Sequence, residues 1–202
     1  MTGGRVPHPG PPAAGPEPPL SPFRLREAVR ALRRGGVVAY PTEAVYGLGC
    51  DPHDPGAVAR LLALKRRGSL KGLILIAAEA GQLEGWVCTR GQPWARACAT
   101  WPGFVTWVLP AGPAAGPWVT GGRGSVAVRV TAHPVAAALC RAFGGPLVST
   151  SANLSGRPPA RSALAVRRSF GRALDGVLVG PLGGQPRPSP IVDGRTGRVV
   201  RP

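Results

Sequence analysis

Acidic residues are scarce in this 202-residue chain. Nine Asp and Glu stand against 25 Lys and Arg, for a formal charge of +16. A dedicated two-metal centre, which draws on several carboxylates, does not fit that supply. The three histidines, at 8, 53 and 133, are too few and too scattered for a metal cluster. His53 reads as a loop residue and His133 as a helix-start residue. The four cysteines, at 50, 88, 98 and 140, contain no Cys-x-x-Cys pair. That spacing excludes a zinc ribbon and a disulfide framework, and a reducing cytoplasm suits it best. No apolar run approaches the ~18 residues of a membrane span. The N-terminus carries no hydrophobic stretch of the secretory type. Phosphate-loop, dinucleotide-loop and His-Glu-x-x-His motifs are all missing, and no nucleophile elbow is present. Aromatics amount to 5%, thin for a surface that stacks bases.

Two further shortages are informative. Only Lys65 and Lys71 are lysine among the 25 basic residues, and Asn153 is the only asparagine. Both tyrosines, Tyr40 and Tyr46, fall within seven residues. The rare residues thus gather in 40–46, 65–71 and 149–156. Where this chain needs plain positive charge it uses Arg. Two lysines six apart therefore mark places where a planar fork does not serve, or are chance survivors of codon bias.

What the chain has is charge and a core. An isoelectric point near 11.6 asks for an anionic partner, a nucleotide or a nucleic acid. Apolar residues make up 44%, enough to build one domain. Residues 1–20 are rich in Pro and Gly and poor in large apolar side chains, so they read as a disordered tail. The domain then spans 21–202.

Ser21-Pro22 reads as a helix start, with Leu25, Ala28, Val29 and Leu32 on the buried face. Val37–Tyr40 is a short strand and 41–51 a loop. Asp54-Pro55 caps a second helix, with Val58, Leu61, Leu62 and Leu64 inward. Strands are expected over 73–78, 104–109, 125–130 and 147–150, and short ones at 177–179, 190–192 and 198–200. Further helices fit 92–100, 134–143 and 162–172. The class is α/β with a mixed sheet.

Three segments could carry chemistry. Pro41-Thr42-Glu43-Ala44-Val45-Tyr46-Gly47-Leu48-Gly49 follows a strand, where α/β proteins gather ligands. Lys65-Arg66-Arg67-Gly68-Ser69-Leu70-Lys71 puts four cations in seven residues, which suits a polyphosphate or an ordinary basic helix end. Ser149–Gly156 packs four hydroxyls and the lone amide into eight residues, a loop able to hold phosphate or ribose oxygens or simply a capped turn. Ser125 and Arg129 share one strand face, and an arginine there could answer a small carboxylate or reach out to solvent.

The ordered strings PTEAVYGLG, KRR…KGLILI, SVAVRV and STSANLSG together resemble the YrdC/TsaC family of threonylcarbamoyl-AMP synthases, from about residue 23 onward. The resemblance implies a twisted open mixed sheet with flanking helices around a basic concavity. It implies condensation of L-threonine, bicarbonate or CO2, and ATP into L-threonylcarbamoyladenylate, with release of pyrophosphate. Magnesium would arrive with ATP, and the protein would supply no metal site. A tRNA-modifying threonylcarbamoyl transferase complex would use the product in the cytoplasm, and the surplus charge also suits weak direct docking of tRNA.

The family signature falls on Lys65, Arg67, Ser151 and Asn153, expected to be catalytic and to bind ATP. Lys71, Ser125 and Arg201 should also face the nucleotide. Thr42, Arg129, Ser149 and Ser189 should face threonine. Where many relatives carry Thr and Asn, this chain has Ala44 and Lys71, and Ile76 stands where some carry His. Threonine should then be read differently, with more asked of Thr42. The short chain matches the single-domain form. Two other readings stay open: a non-catalytic basic RNA-binding module, and a carbamoyl-adenylate-forming relative of hydrogenase maturation.

Overall fold

The computed structural model describes residues 20–66, 68 and 72–202. The expected tail over 1–20 therefore lies, except for Leu20, outside the described residues, as do Arg67 and Lys71.

Helix α1, Pro22–Arg33, starts where the sequence says it should. Ser21 caps it by accepting from the Arg24 N–H, with Pro22 in the first turn. Strand β1, Val38–Pro41, is followed by β2, Tyr46–Cys50. The expected loop over 41–51 thus shrinks to the turn between them. The glycines of Tyr46-Gly47-Leu48-Gly49-Cys50 hid a strand, because β-propensity counts them against one. Asp54 caps α2, Pro55–Leu64, accepting from Gly56 and Ala57 N–H. Lys65 closes that helix, and Arg66 turns into the left-handed region at φ 51.

The chain continues through β3 (Ile74–Ala77), α3 (Gly91–Cys98), β4 (Thr106–Pro110), the short α4 (Pro117–Thr120) and β5 (Ser125–Val130). It ends with α5 (Pro134–Phe143), β6 (Leu147–Ser151), α6 (Ala163–Phe170), β7 (Gly176–Val177), β8 (Ile191–Asp193) and β9 (Val199–Arg201). Among the described residues nine strands form one mixed sheet in the order β7-β1-β2-β6-β3-β5-β4-β8-β9.

Each face of the sheet has its own apolar layer. Val58, Leu61, Val166 and Phe170 from α2 and α6 cover one face, against Tyr46, Leu48, Leu75 and Val148. On the other, Val29 and Leu32 of α1 and Val135, Leu139 and Cys140 of α5 cover Val38, Tyr40, Ile76 and Leu147. Ile76 is fully buried there, so its difference from family His does not touch the site.

Gly47 and Gly49 make room for an aromatic ring. A Cβ on Gly49 would lie 2.8 Å from Tyr40 Cε1 and 2.8 Å from the Val148 carbonyl oxygen, whereas one on Gly47 would meet Tyr40 Cε2 at 3.3 Å. The Tyr40 ring lies over both glycines and is fully buried, so it cannot retreat. Gly49→Ala is accordingly expected to destabilise the protein by ~1–3 kcal/mol, and Gly47→Ala by clearly less. Urea titration of the two variants checks this. Equal midpoints for both and for wild type would mean that the ring and strand shift freely.

Candidate active site

The site lies on the sheet face that α1 and α5 leave uncovered. Side chains alternate along a strand, so residues at i and i+2 share a face. In β6, Leu147 lies under α5 while Ser149 and Ser151 emerge beyond it. Ile74 of β3, Ala127 and Arg129 of β5 and Thr106 of β4 continue the same surface. The result is a cavity of about 260 Å³, walled by the 42–47 turn and closed by Ser189 and Arg201 near the C-terminus.

Six expected site residues meet there: Thr42, Arg129, Ser149, Ser151, Ser189 and Arg201. Arg129 is buried, its guanidinium carbon 5.7 Å from the centre of the Phe104 ring. Its Nη2 lies 3.1 Å from Glu43 Oε2. The Ser149 hydroxyl accepts from the Tyr40 O–H at 2.9 Å, which leaves its own proton free to turn toward a ligand. Burial pushes the Tyr40 phenol well above its ordinary value, so it stays a donor. The Ser189 and Thr106 hydroxyls pair at 2.8 Å, and Arg201 Nη2 donates to the Ser189 carbonyl at 3.0 Å. Burial first, and the Arg129 cation second, push the Arg201 guanidinium below its usual value. Both arginines line one cavity, and an anion there would be attracted by both.

Other expectations are placed differently. Thr42 lines the cavity, but its hydroxyl donates to the Val45 carbonyl at 2.6 Å within its own turn. It is therefore not free to donate in place of a threonine at Ala44, which also lines the cavity. Lys65 and Asn153 do not line it. The Lys65 ammonium donates to the carbonyls of Ser151 and Asn153 and, at 3.1 Å, to Asn153 Oδ1. The Ser151 hydroxyl donates to the same Oδ1 at 2.6 Å, and the Asn153 amide donates to the Leu154 and Arg157 carbonyls. Lysine and asparagine thus knot the 151–157 loop behind the Ser151 wall. Ser125 shares the strand face of Arg129 but opens onto a neighbouring recess with Asp193 and Arg195. Arg67 and Lys71 belong to the segment outside the described residues. Among the described residues no group of three His, Cys, Asp or Glu could hold a metal ion, and no helix is long and apolar enough to cross a membrane.

Sequence reading missed Tyr40, Glu43, Thr106 and Thr131 as parts of this site. Glu43 had a signal, being one of nine acids and inside a suspected motif. Nothing local pointed to Thr106 or Thr131, which only the strand register brings in.

Two outcomes test this geometry. Lys65 is 3% exposed, and its compact ammonium meets three acceptors among which a planar guanidinium does not fit. Lys65→Arg should lose ~1–3 kcal/mol of stability and speed amide exchange at Asn153 and Ser155. Wild-type exchange would show that the loop does not need this lysine.

His133 provides the second. Its Nε2 lies 3.0 Å from the Pro181 carbonyl, while Nδ1 is buried without a partner near Glu43 and Arg129. Burial pushes its pKa below the ordinary 6.5. The folded state then binds fewer protons than the unfolded one below pH 6.5, so stability falls as pH drops from there toward the folded value. Urea midpoints of wild type should fall over that window, and those of His133→Gln should fall less. Parallel profiles would assign the loss to other groups.

The Sua5_yciO_yrdC family model, described as telomere recombination, matches residues 30–202. A relative from Halorhodospira halophila named threonylcarbamoyl-AMP synthase is 61% identical over 185 residues, covering 91% of this chain and 97% of its own. One of the same name from Alkalilimnicola ehrlichii is 58% identical over 182 residues, covering 89% and 95%. In structure the chain is similar to P. abyssi Sua5 complexed with L-threonine, at 35% identity and a TM-score of 0.78. That match covers 85% of this chain and 51% of the other, so the chain spans about half the length of that Sua5. Matched over most of its length by the family model and by both named relatives, the chain belongs to the Sua5/YciO/YrdC family.

Proposed function

We propose that this chain makes L-threonylcarbamoyladenylate from L-threonine, bicarbonate or CO2, and MgATP, releasing pyrophosphate. The observation that carries the reading is the cavity, where Arg129, Arg201 and serine hydroxyls face one small volume, in a chain 61% identical to a named threonylcarbamoyl-AMP synthase.

ATP, bicarbonate and the threonine carboxylate are anionic, and two arginines line the cavity. At about 260 Å³ it is smaller than the ~300–1,000 Å³ of most small-molecule sites. An amino acid and a one-carbon unit suit it, and the nucleotide extends from its mouth. Arg129 grips the threonine carboxylate, with the Ser149 hydroxyl beside it. Bicarbonate gives CO2 with loss of water; the threonine ammonium gives up a proton to solvent, and the neutral amine adds to CO2 and loses a second proton to form a carbamate. A carbamate oxygen attacks the α-phosphorus, a P–O bond forms, the bond to the β-phosphate breaks and pyrophosphate leaves. Positioning and charge stabilisation supply the acceleration, and no protein nucleophile is involved.

Arg201 and the Ser151 wall face the phosphates, with Ser125 on the adjoining recess, and the family motif assigns Arg67 and Lys71 to the nucleotide as well. Lys65 and Asn153 act by holding Ser151 in place. Thr42 and Ser189 shape the threonine end. Magnesium comes as MgATP, because the chain offers no carboxylate cluster of its own among the described residues. The product goes, in the cytoplasm, to a transferase complex that modifies tRNA.

The purified chain with ATP, threonine and labelled bicarbonate should form labelled adenylate and release pyrophosphate only when all three are present. RNA binding without pyrophosphate release would favour the RNA-binding module. Carbamoyl adenylate formed without threonine would favour the hydrogenase-maturation chemistry. Arg129→Lys keeps the charge and loses the fork, so KM for threonine should rise ~10- to 100-fold while ATP binding changes little, a loss of ~1.5–3 kcal/mol as expected for a charge-assisted contact. Equal losses for both ligands would remove Arg129 from the threonine end.

A further inference from the structure

Glu43 is out of place by composition. It is one of nine acids in a chain of charge +16, yet it is 6% exposed and sits in the turn that walls the cavity. Its neighbours Thr42 and Ala44 line the cavity, and Glu43 does not. It lies behind Arg129, its Oε2 3.1 Å from Arg129 Nη2. Thr131 donates to its Oε1 at 2.6 Å, and the Thr131 hydroxyl in turn accepts from the His133 N–H at 3.1 Å.

The backbone of Glu43 is also held. Gln185 N–H donates to its carbonyl at 2.9 Å, and Gly183 N–H donates to the Thr42 carbonyl at 3.2 Å. Gly183 packs so closely that a Cβ there would lie 2.9 Å from Glu43 Cα. Glu43 is therefore held through its carboxylate by Thr131 and through its backbone by the 183–185 segment.

The contact with Arg129 is a close approach of charges and not a fork. Glu43 Oε2 and Arg129 Nε are both buried without an aligned hydrogen bond. Arg–carboxylate pairs built for stability are commonly bidentate, with two parallel N–H···O bonds. Here Glu43 anchors the guanidinium at one nitrogen and leaves its fork uncommitted. The Phe104 ring lies alongside the guanidinium, 5.7 Å from centroid to Cζ.

We propose that Glu43, braced by Thr131, is a positioning residue that holds Arg129 in the orientation in which its free donors receive the threonine carboxylate. This rests on the assignment of Arg129 to threonine. Glu43 touches no substrate. Without it a buried guanidinium beside Arg201 has no counter-charge and relaxes away from the cavity floor.

The test is a double-mutant cycle on the full chain, with KM for threonine, KM for ATP and kcat measured for Glu43→Gln, Arg129→Lys and the pair. Glu43→Gln keeps the shape and an acceptor for Thr131. It should raise KM for threonine about tenfold, within the usual range for directly coupled residues, with kcat and KM for ATP within about twofold. In the Arg129→Lys background Glu43→Gln should add nothing further. Multiplying effects would overturn the proposal, as would unchanged KM for threonine in Glu43→Gln, or equal losses for both substrates. If Arg129→Lys itself leaves KM for threonine unchanged, the assignment of Arg129 fails and this proposal with it. Should Glu43→Gln not fold, Thr131→Val removes the brace alone. The same split, smaller in size, supports the proposal, and a loss of melting temperature with wild-type KM overturns it.

Discussion

The site depends first on how β6 is paired. It bonds antiparallel to β2 on one side and to β3 on the other, so its register is fixed twice. Ser149 stands opposite Gly49 and Ile74, and Ser151 opposite Gly47. Because a strand repeats every two residues, a slip by one would turn Val148 to the cavity face and send the Ser149 side chain into the core. Two-sided pairing makes that slip expensive. It also carries the 42–47 turn, the 149–156 loop and, through β3, the Arg129 strand to one place.

The glycines of β2 act on the same point. Their missing side chains admit the Tyr40 ring, which delivers a buried hydroxyl to Ser149. A tyrosine that spans two strands and ends on a serine converts an apolar layer into a polar contact at the cavity floor. The phenol stays protonated because burial opposes its charge, and that sets the direction in which the serine donates.

Charge works at two ranges. The net +16 raises the local concentration of anions around the whole molecule, an effect that salt screens over ~8 Å under physiological conditions. Inside the cavity the charges are few and individually held. Arg129 faces Glu43 and Arg201 leans on the Ser189 carbonyl. The lysine that the sequence singles out is spent on backbone carbonyls behind the wall, where a compact ammonium suits three converging acceptors and a fork does not.

By itself the sequence determined what local chemistry dictates. Ser21-Pro22 and Asp54-Pro55 announce helix starts because capping is satisfied within four residues. SVAVRV declares its strand by alternation. The ordered motifs pointed to the right family. What the sequence could not show was anything that depends on register between distant strands. It concealed β2, whose glycines argue against a strand until Tyr40 is seen lying over them. By same-face spacing it put Ser125 with Arg129, and it could not say that one recess gives way to another between them. It was silent on Glu43 with Arg129 and Thr131, residues 86 and 88 positions from the acid. The tertiary structure alone decided which polar groups face the cavity and which hold those groups from behind, because sheet pairing sets side-chain neighbours across such separations and no local propensity encodes them.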